Sequence, residues 1–217
     1  MQKSTWRLRR LCVMALLCAM AFAAVALIRI PVVAFLKYEP KDVLLVIGGF
    51  LFGPLAGVAM ATVVALIELV TVSDTGIIGC VMNILSSCLF VCTAAIIYRR
   101  RRNLTAAIIG LVCGALAATA GMLLWNYLVT PLYMGIPRQA VVDMLLPVFL
   151  PFNLFKTALN STLTLLVYKS VVKALRASRL LPPAEMTTAK PRRVVAVVAL
   201  FALLTLVVVL LVWRGII

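Results

Sequence analysis

The chain contains no histidine, and only six of its 217 residues are acidic, against 21 lysines and arginines. Without histidine it lacks the side chain that most often serves as general base or neutral metal ligand. It has no GxxxxGK[ST] phosphate loop, so it cannot hydrolyse ATP by the P-loop route. GxSxG and HExxH are absent as well, and a nucleophile with no base partner is weak evidence for catalysis. Glu68 and Asp74 stand six residues apart across a helix end, a poor placement for paired-carboxylate chemistry. Cysteine is present at Cys12, Cys18, Cys80, Cys88, Cys92 and Cys113, but no two form CxxC. All six lie in or beside apolar runs, which argues against a disulfide framework or zinc site and for small packing residues. The expectation is a protein that is not an enzyme and carries no metal or cofactor.

What the chain has is apolar length. Hydrophobic residues make up 65% of it, charged residues 12%, and the mean hydropathy is +1.18. A soluble domain of this size has too little interior to hide that surface. Nearly charge-free runs cover Leu11–Ile28, Val43–Ile67, Cys80–Tyr98, Leu104–Met134, Met144–Phe155, Thr157–Tyr168 and Val194–Trp213, several of them long enough to span a bilayer. The chain reads as an all-α integral membrane protein. Its net charge of +15 sits in short clusters at helix ends, the pattern of topology signals rather than of nucleic-acid binding. MQKSTWRLRR before an apolar stretch with Ala21-Phe22-Ala23 resembles a signal peptide. That stretch is longer than the apolar part of such peptides, which favours a retained first helix.

Six helices and an appended seventh are expected. The first covers Leu11–Ile30 and stops at Pro31, and Val32–Asp42 reads as an amphipathic loop. A helical hairpin follows, Val43–Phe52 and Pro54–Val72, with Gly49, Gly53 and Gly57 at a spacing that lets backbones approach closely. The fourth helix is Cys80–Tyr98 and ends in Arg99–Arg102. The fifth is Leu104–Thr130, with a small-residue stripe of Gly110, Gly114, Ala118 and Gly121. After the loop PLYMGIPRQAVVDM, the sixth runs from Leu145 to Leu175. The organisation is therefore a six-helix domain over residues 1–176, a basic linker over 177–193, and an additional C-terminal transmembrane helix within 194–217. With the N-terminus in the cytoplasm, 15 of the 21 lysines and arginines fall on the cytoplasmic side, the orientation the positive-inside rule prefers. Five of the six acids, Glu39, Asp42, Glu68, Asp74 and Asp143, then fall on the outer half.

The sixth helix carries the densest polar signal. Asn153, Lys156, Asn160 and Thr164 recur at i, i+3, i+7 and i+11, on one helical face. Polar groups at membrane depth are costly, and an ionisable one there suggests function. Pro151 sits in the first turn or kinks the helix. The plainer reading makes the Asn and Thr residues interhelical glue and lets Lys156 snorkel to the surface. On the fifth helix, an aromatic belt explains Trp125 and Tyr127 but not Asn126, whose amide both donates and accepts. Trp125 as a wall, with Asn126, Asn153 and Lys156 as a polar rim, would suit a planar ligand. Asn160, Tyr38 and Glu68 are counted with this ligand set.

Several stretches resemble the substrate-binding S components of energy-coupling-factor (ECF) vitamin transporters, most of all the riboflavin-specific ones. They are Ala15-Leu16-Leu17-Cys18-Ala19-Met20-Ala21, Phe35-Leu36-Lys37-Tyr38-Glu39-Pro40-Lys41-Asp42, and Gly49-Phe50-Leu51-Phe52-Gly53-Pro54-Leu55-Ala56-Gly57. Trp125-Asn126-Tyr127, Pro131-Leu132-Tyr133 and Pro151-Phe152-Asn153-Leu154-Phe155-Lys156 complete the set, which covers about Leu11–Arg176. The resemblance implies a six-helix S-component bundle in a bacterial cell membrane, binding riboflavin near its outer face. It implies partners too: a membrane coupling (T) subunit and two cytoplasmic ATPase subunits. Asn126, Asn153 and Lys156 match polar positions expected to hold the flavin. Ala15, Ala19 and Ala23 match the small-residue face that packs on the coupling subunit. Ile67-Glu68-Leu69 followed by Ser73-Asp74-Thr75-Gly76 departs from the basic, Asn-containing end of the third helix in riboflavin members. Another vitamin or a nucleobase-like compound is therefore the alternative substrate, and a stand-alone secondary transporter the alternative mechanism. The family ends after the sixth helix, so the seventh is an addition.

Overall fold

The computed structural model describes residues 2–33, 36–178 and 180. The expected seventh helix, and the linker beyond its first residues, lie outside that range. In chain order the elements are α1 (Gln2–Leu27), β1 (Ile30–Val33), β2 (Leu36–Tyr38), α2 (Lys41–Phe52), α3 (Pro54–Thr71), α4 (Gly76–Arg101), α5 (Leu104–Met134), α6 (Arg138–Met144), a π-helical turn (Leu145–Phe149) and α7 (Leu150–Ala177). Among the described residues, five helical stretches are long and apolar enough to cross a membrane: Trp6–Leu27, Pro54–Thr71, Gly76–Arg101, Leu104–Met134 and Arg138–Ala177.

The short α2 is the hub. Every residue from Lys41 to Phe50 is buried, as expected of a helix that meets protein on all sides. It packs against α1, α3, α4 and α7. One residue, Gly53, joins α2 to α3 at φ +94°, a backbone conformation in which a side chain would be strained. Folded back this way, Gly57 and Gly49 meet each other and the Val91 side chain of α4. The hairpin expected from the glycine spacing is present. On α5, a Cβ at Gly110 would lie 2.7 Å from the Ala94 carbonyl oxygen, and one at Gly114 2.6 Å from that of Phe90. The glycines let α4 and α5 approach backbone to backbone.

Three expectations need correction. The amphipathic loop is a two-stranded antiparallel hairpin, with Ile30 opposite Tyr38 and Pro31 opposite Lys37. The architecture is thus not purely α, and α1 ends at Leu27 rather than at Pro31. Proline disfavours helix in the residue before it, which suits Ile30 to a strand. Second, α5 continues through Pro131 to Met134 and closes with Gly135 at φ +65°. A proline removes one backbone donor, which does not by itself end a membrane helix. Third, the helical run expected from Leu145 starts at Arg138, and its π turn absorbs the offset before Pro151.

Candidate functional site

At the end of the bundle where α2 begins and α3 ends, a cavity of about 240 Å³ opens between the hairpin, the α3–α4 turn, α4, α5 and α7. The hairpin gives Leu36 and Lys37, flanked by Arg29 and Glu39, and the α3–α4 turn gives Asp74 and Thr75. Helix α4 contributes Met82, Asn83 and Ser86; α5 contributes Met122, Asn126 and Tyr133; α7 contributes Phe152, Asn153 and Lys156. The wall is therefore part apolar and aromatic, with convergent polar groups, the usual make-up of a small-molecule site.

Hydrogen bonds fix how the amides present themselves. Asn153 Nδ2 donates to the Phe149 carbonyl at 2.7 Å, a bond to the π turn one helical turn earlier. Asn126 Nδ2 donates to the Met122 carbonyl at 2.7 Å, and its Oδ1 accepts from Thr130 at 2.9 Å. Asn83 Nδ2 donates to Glu68 Oε2 at 3.1 Å. A carboxylate only accepts, so this contact assigns the amide's orientation and leaves Asn83 Oδ1 as an acceptor. Lys156 Nζ lies 3.9 Å from Asp42 Oδ2, so its ammonium has a buried counter-charge behind it.

Beneath the cavity lies a floor of buried polar groups. Lys41 Nζ meets Glu68 Oε2 at 2.5 Å and Glu39 Oε2 at 2.9 Å. Asp42 accepts from Ser87 Oγ at 2.6 Å and from Asn160 Nδ2 at 3.3 Å, and Asn160 Oδ1 accepts from the Tyr38 hydroxyl at 2.9 Å. Buried charges persist only when paired in this way. The hairpin is tied to the same end: Arg29 reaches Glu39 Oε1 at 3.0 Å and the Val72 carbonyl, and Lys37 pairs with Asp74. Burial would push the Glu39 carboxyl up, but Lys41 and Lys156, with hydrogen bonds from Lys41 and Arg29, hold it below its ordinary value. The exposed Asp74 carboxyl is likewise lowered, by the hydrogen bond and charge of Lys37.

Of the residues singled out in sequence, Asn126, Asn153 and Lys156 meet at the cavity wall. Asn160 and Tyr38 belong to the floor and bond to each other. Glu68 stands behind the wall, holding Lys41 and Asn83. Trp125 is half-buried and outside the lining, and the aromatic surface comes from Phe152 and Tyr133. Successive helical residues are turned about 100° apart, so with Asn126 facing inward its neighbours point aside. Tyr127 accordingly lies under the Arg138 guanidinium, 5.2 Å from it. Sequence reasoning missed Asn83 and Ser86, although Asn83, Ser86 and Ser87 inside a largely apolar run were a readable signal.

Ala15, Ala19 and Ala23 are exposed, whereas Val13, Leu17, Ala21 and Val25 fill the inward face of α1. The alanine stripe does not seat the helix in its own bundle.

Comparison with known proteins agrees with this architecture. The model of the family "ECF transporter, substrate-specific component" matches residues 9–168. The riboflavin transporter RibU of Staphylococcus aureus (strain TCH60) is 30% identical over 77% of this chain and 93% of its own length. The riboflavin transporter FmnP of Bacillus subtilis (strain 168) is 26% identical over 69% of this chain and 85% of its own. A solved structure described as the S component of a bacterial ECF transporter superposes with a TM-score of 0.66 at 28% identity. That match covers 78% of this chain and 99% of the other. A multi-pass membrane chain with this fold, this family match and these relatives belongs to the substrate-specific components of ECF transporters.

Proposed function

We propose that this subunit binds riboflavin in the cavity walled by Asn83, Asn126, Asn153 and Lys156, for import powered by partner subunits. Family membership makes the chain a transporter component rather than an enzyme, working with an ECF transporter module. The observation that carries the flavin reading is the convergence of three asparagines and a lysine from α4, α5 and α7 beside Phe152 and Tyr133. An aromatic face suits a planar tricyclic ring, and fixed amides suit the carbonyl and N–H edge of its pyrimidine portion. Both relatives are riboflavin transporters by name, which supports the same choice.

The chain lacks a phosphate-binding loop, so energy must come from elsewhere. The module is a membrane coupling subunit with two cytoplasmic ATPases, and Ala15, Ala19 and Ala23 face it. The basic end, with Arg10 and Arg99–Arg102, lies in the cytoplasm, and the cavity opens at the opposite, outer face. Absorbance of the purified protein tests the substrate directly. Flavin bands that persist through purification, or appear with saturable riboflavin binding to stripped protein, are expected. Binding of a different planar vitamin with no flavin affinity would overturn the assignment.

A further inference from the structure

A second cavity, of about 290 Å³, lies at the arginine-rich end of the bundle, a helix length away from the first. It is lined by Arg10 of α1, Phe50–Phe52 of α2, the Gly53 turn, Pro54 and Leu55 of α3, and Arg99 and Arg102 at the end of α4. Three guanidinium groups, from α1 and from the end of α4, share it, and among the described residues no carboxylate lines it. Among the described residues the ion pairs involve Arg29, Lys37, Lys41 and Lys156, all at the other end. No described carboxylate pairs with these three exposed arginines.

Arg10 is held in place by contacts of its side chain. Arg10 donates to the Phe52 carbonyl at 3.4 Å and lies 5.7 Å from the centre of the Phe52 ring. Arg102 takes a left-handed conformation at φ 46°, the one non-glycine residue with positive φ among those described. That conformation, which closes a helix, places Arg102 where α4 ends against the cavity. Beside the charged rim is an apolar side: Leu55 is 82% exposed and Leu51 half-buried. Arginine forks match phosphate oxygens, and exposed leucine beside them suits an acyl chain.

We propose that this cavity is a binding site for the phosphate headgroup of an anionic phospholipid. The headgroup lies among Arg10, Arg99 and Arg102, and its acyl chain runs past Leu55. The site is separate from the substrate cavity and does not depend on which vitamin is carried.

The test uses the full chain in nanodiscs of equal phosphatidylglycerol and phosphatidylcholine, then counts retained lipids by native mass spectrometry. Selective retention of phosphatidylglycerol is expected, weakened roughly tenfold by each of R10Q, R99Q and R102Q and abolished by the triple variant. Arg100 and Arg101 are exposed but do not line the cavity, so R100Q/R101Q should retain lipid like the parent. Circular dichroism and a monodisperse elution profile confirm that each variant is folded. Equal retention of both lipids, or equal loss in R100Q/R101Q, would show only a diffuse basic surface and overturn the site. Displacement of the lipid by millimolar inorganic phosphate would identify a free-anion site instead. Displacement by an acidic segment of a partner subunit would identify a protein interface. Either result refutes the lipid assignment.

Discussion

The Tyr38 hydroxyl donates to Asn160 Oδ1 at 2.9 Å, joining β2 of the hairpin to the middle of α7, 122 residues away. Both residues are buried. Through Asn160 the contact continues to Asp42, and from there to Ser87 and Lys156. The hairpin that flanks the outer cavity of Asn126, Asn153 and Lys156 is therefore anchored to the floor beneath it. Tyr38→Phe removes the donor and keeps the ring, leaving Asn160 Oδ1 without that partner. A loss of about 1 kcal/mol in stability is expected, read as a lower melting temperature in detergent. An unchanged melting temperature would mean the hairpin is held by its salt links alone.

At the wall, Asn153→Ala and Lys156→Ala should each weaken riboflavin binding about tenfold to a hundredfold, the effect of one lost hydrogen bond to a buried ligand. Trp125→Leu should change it little, since Trp125 lies outside the lining. Titration calorimetry separates the three. Parent-like affinity in both α7 variants would move the site elsewhere.

The α7 polar stripe shows how far the sequence could be read. Asn153, Lys156, Asn160 and Thr164 do share a face, and all four are buried. Periodicity gives direction around a helix but not depth along it. At about 1.5 Å per residue, Asn160 sits roughly 6 Å below Lys156, where Tyr38 and Asp42 close the cavity. The stripe therefore divides into cavity wall and interhelical glue, and Thr164 merely returns its hydroxyl to the Asn160 carbonyl. The glycine stripes were legible because close backbone approach demands small residues. The β-hairpin was not: its strands are four and three residues long, too short for alternation to register.

Lys41 is 1% exposed and sits between Glu68 and Glu39. Lys41→Met leaves the buried Glu68 carboxylate without a counter-charge, since Glu39 keeps Arg29, and a loss of about 3–5 kcal/mol is expected. Adding Glu68→Gln should recover part of it, because an amide is cheaper to bury than an unpaired charge. Thermal unfolding of the single and double variants measures the coupling. Strict additivity would show that the two residues are not energetically linked.

Acid should loosen the hairpin. Glu39 and Asp74 both have carboxyl pKa values held below ordinary. A depressed folded-state value stabilises fully above the unfolded pKa, and the gain disappears as pH falls through the folded one. The links Arg29–Glu39 and Lys37–Asp74 should hold from neutrality down to about pH 4 and fail below it. Flavin release, followed by stopped-flow fluorescence, should be flat above that point and faster below. Glu39→Gln/Asp74→Asn should release quickly at neutral pH. A pH-independent rate in the parent would show that the hairpin does not gate the cavity.

The last prediction concerns the outward face of α1. Ala15, Ala19 and Ala23 are exposed while Val13, Leu17, Ala21 and Val25 pack inward, so a larger residue at Ala19 meets nothing of its own bundle. Among the described residues, the cavity of Asn126, Asn153 and Lys156 is lined by none from α1, only by Arg29 just beyond its end. Small residues at this spacing allow another helix to approach closely, and a tryptophan would hold it off. Ala19→Trp should therefore keep riboflavin affinity and melting temperature near the parent's. It should also abolish uptake in cells and co-purification with the coupling subunit. Ala19→Gly, which keeps the stripe small, should preserve uptake and co-purification. If Ala19→Trp loses flavin binding as well, the residue acts inside the bundle after all; if uptake survives, the stripe faces lipid and the partner docks elsewhere.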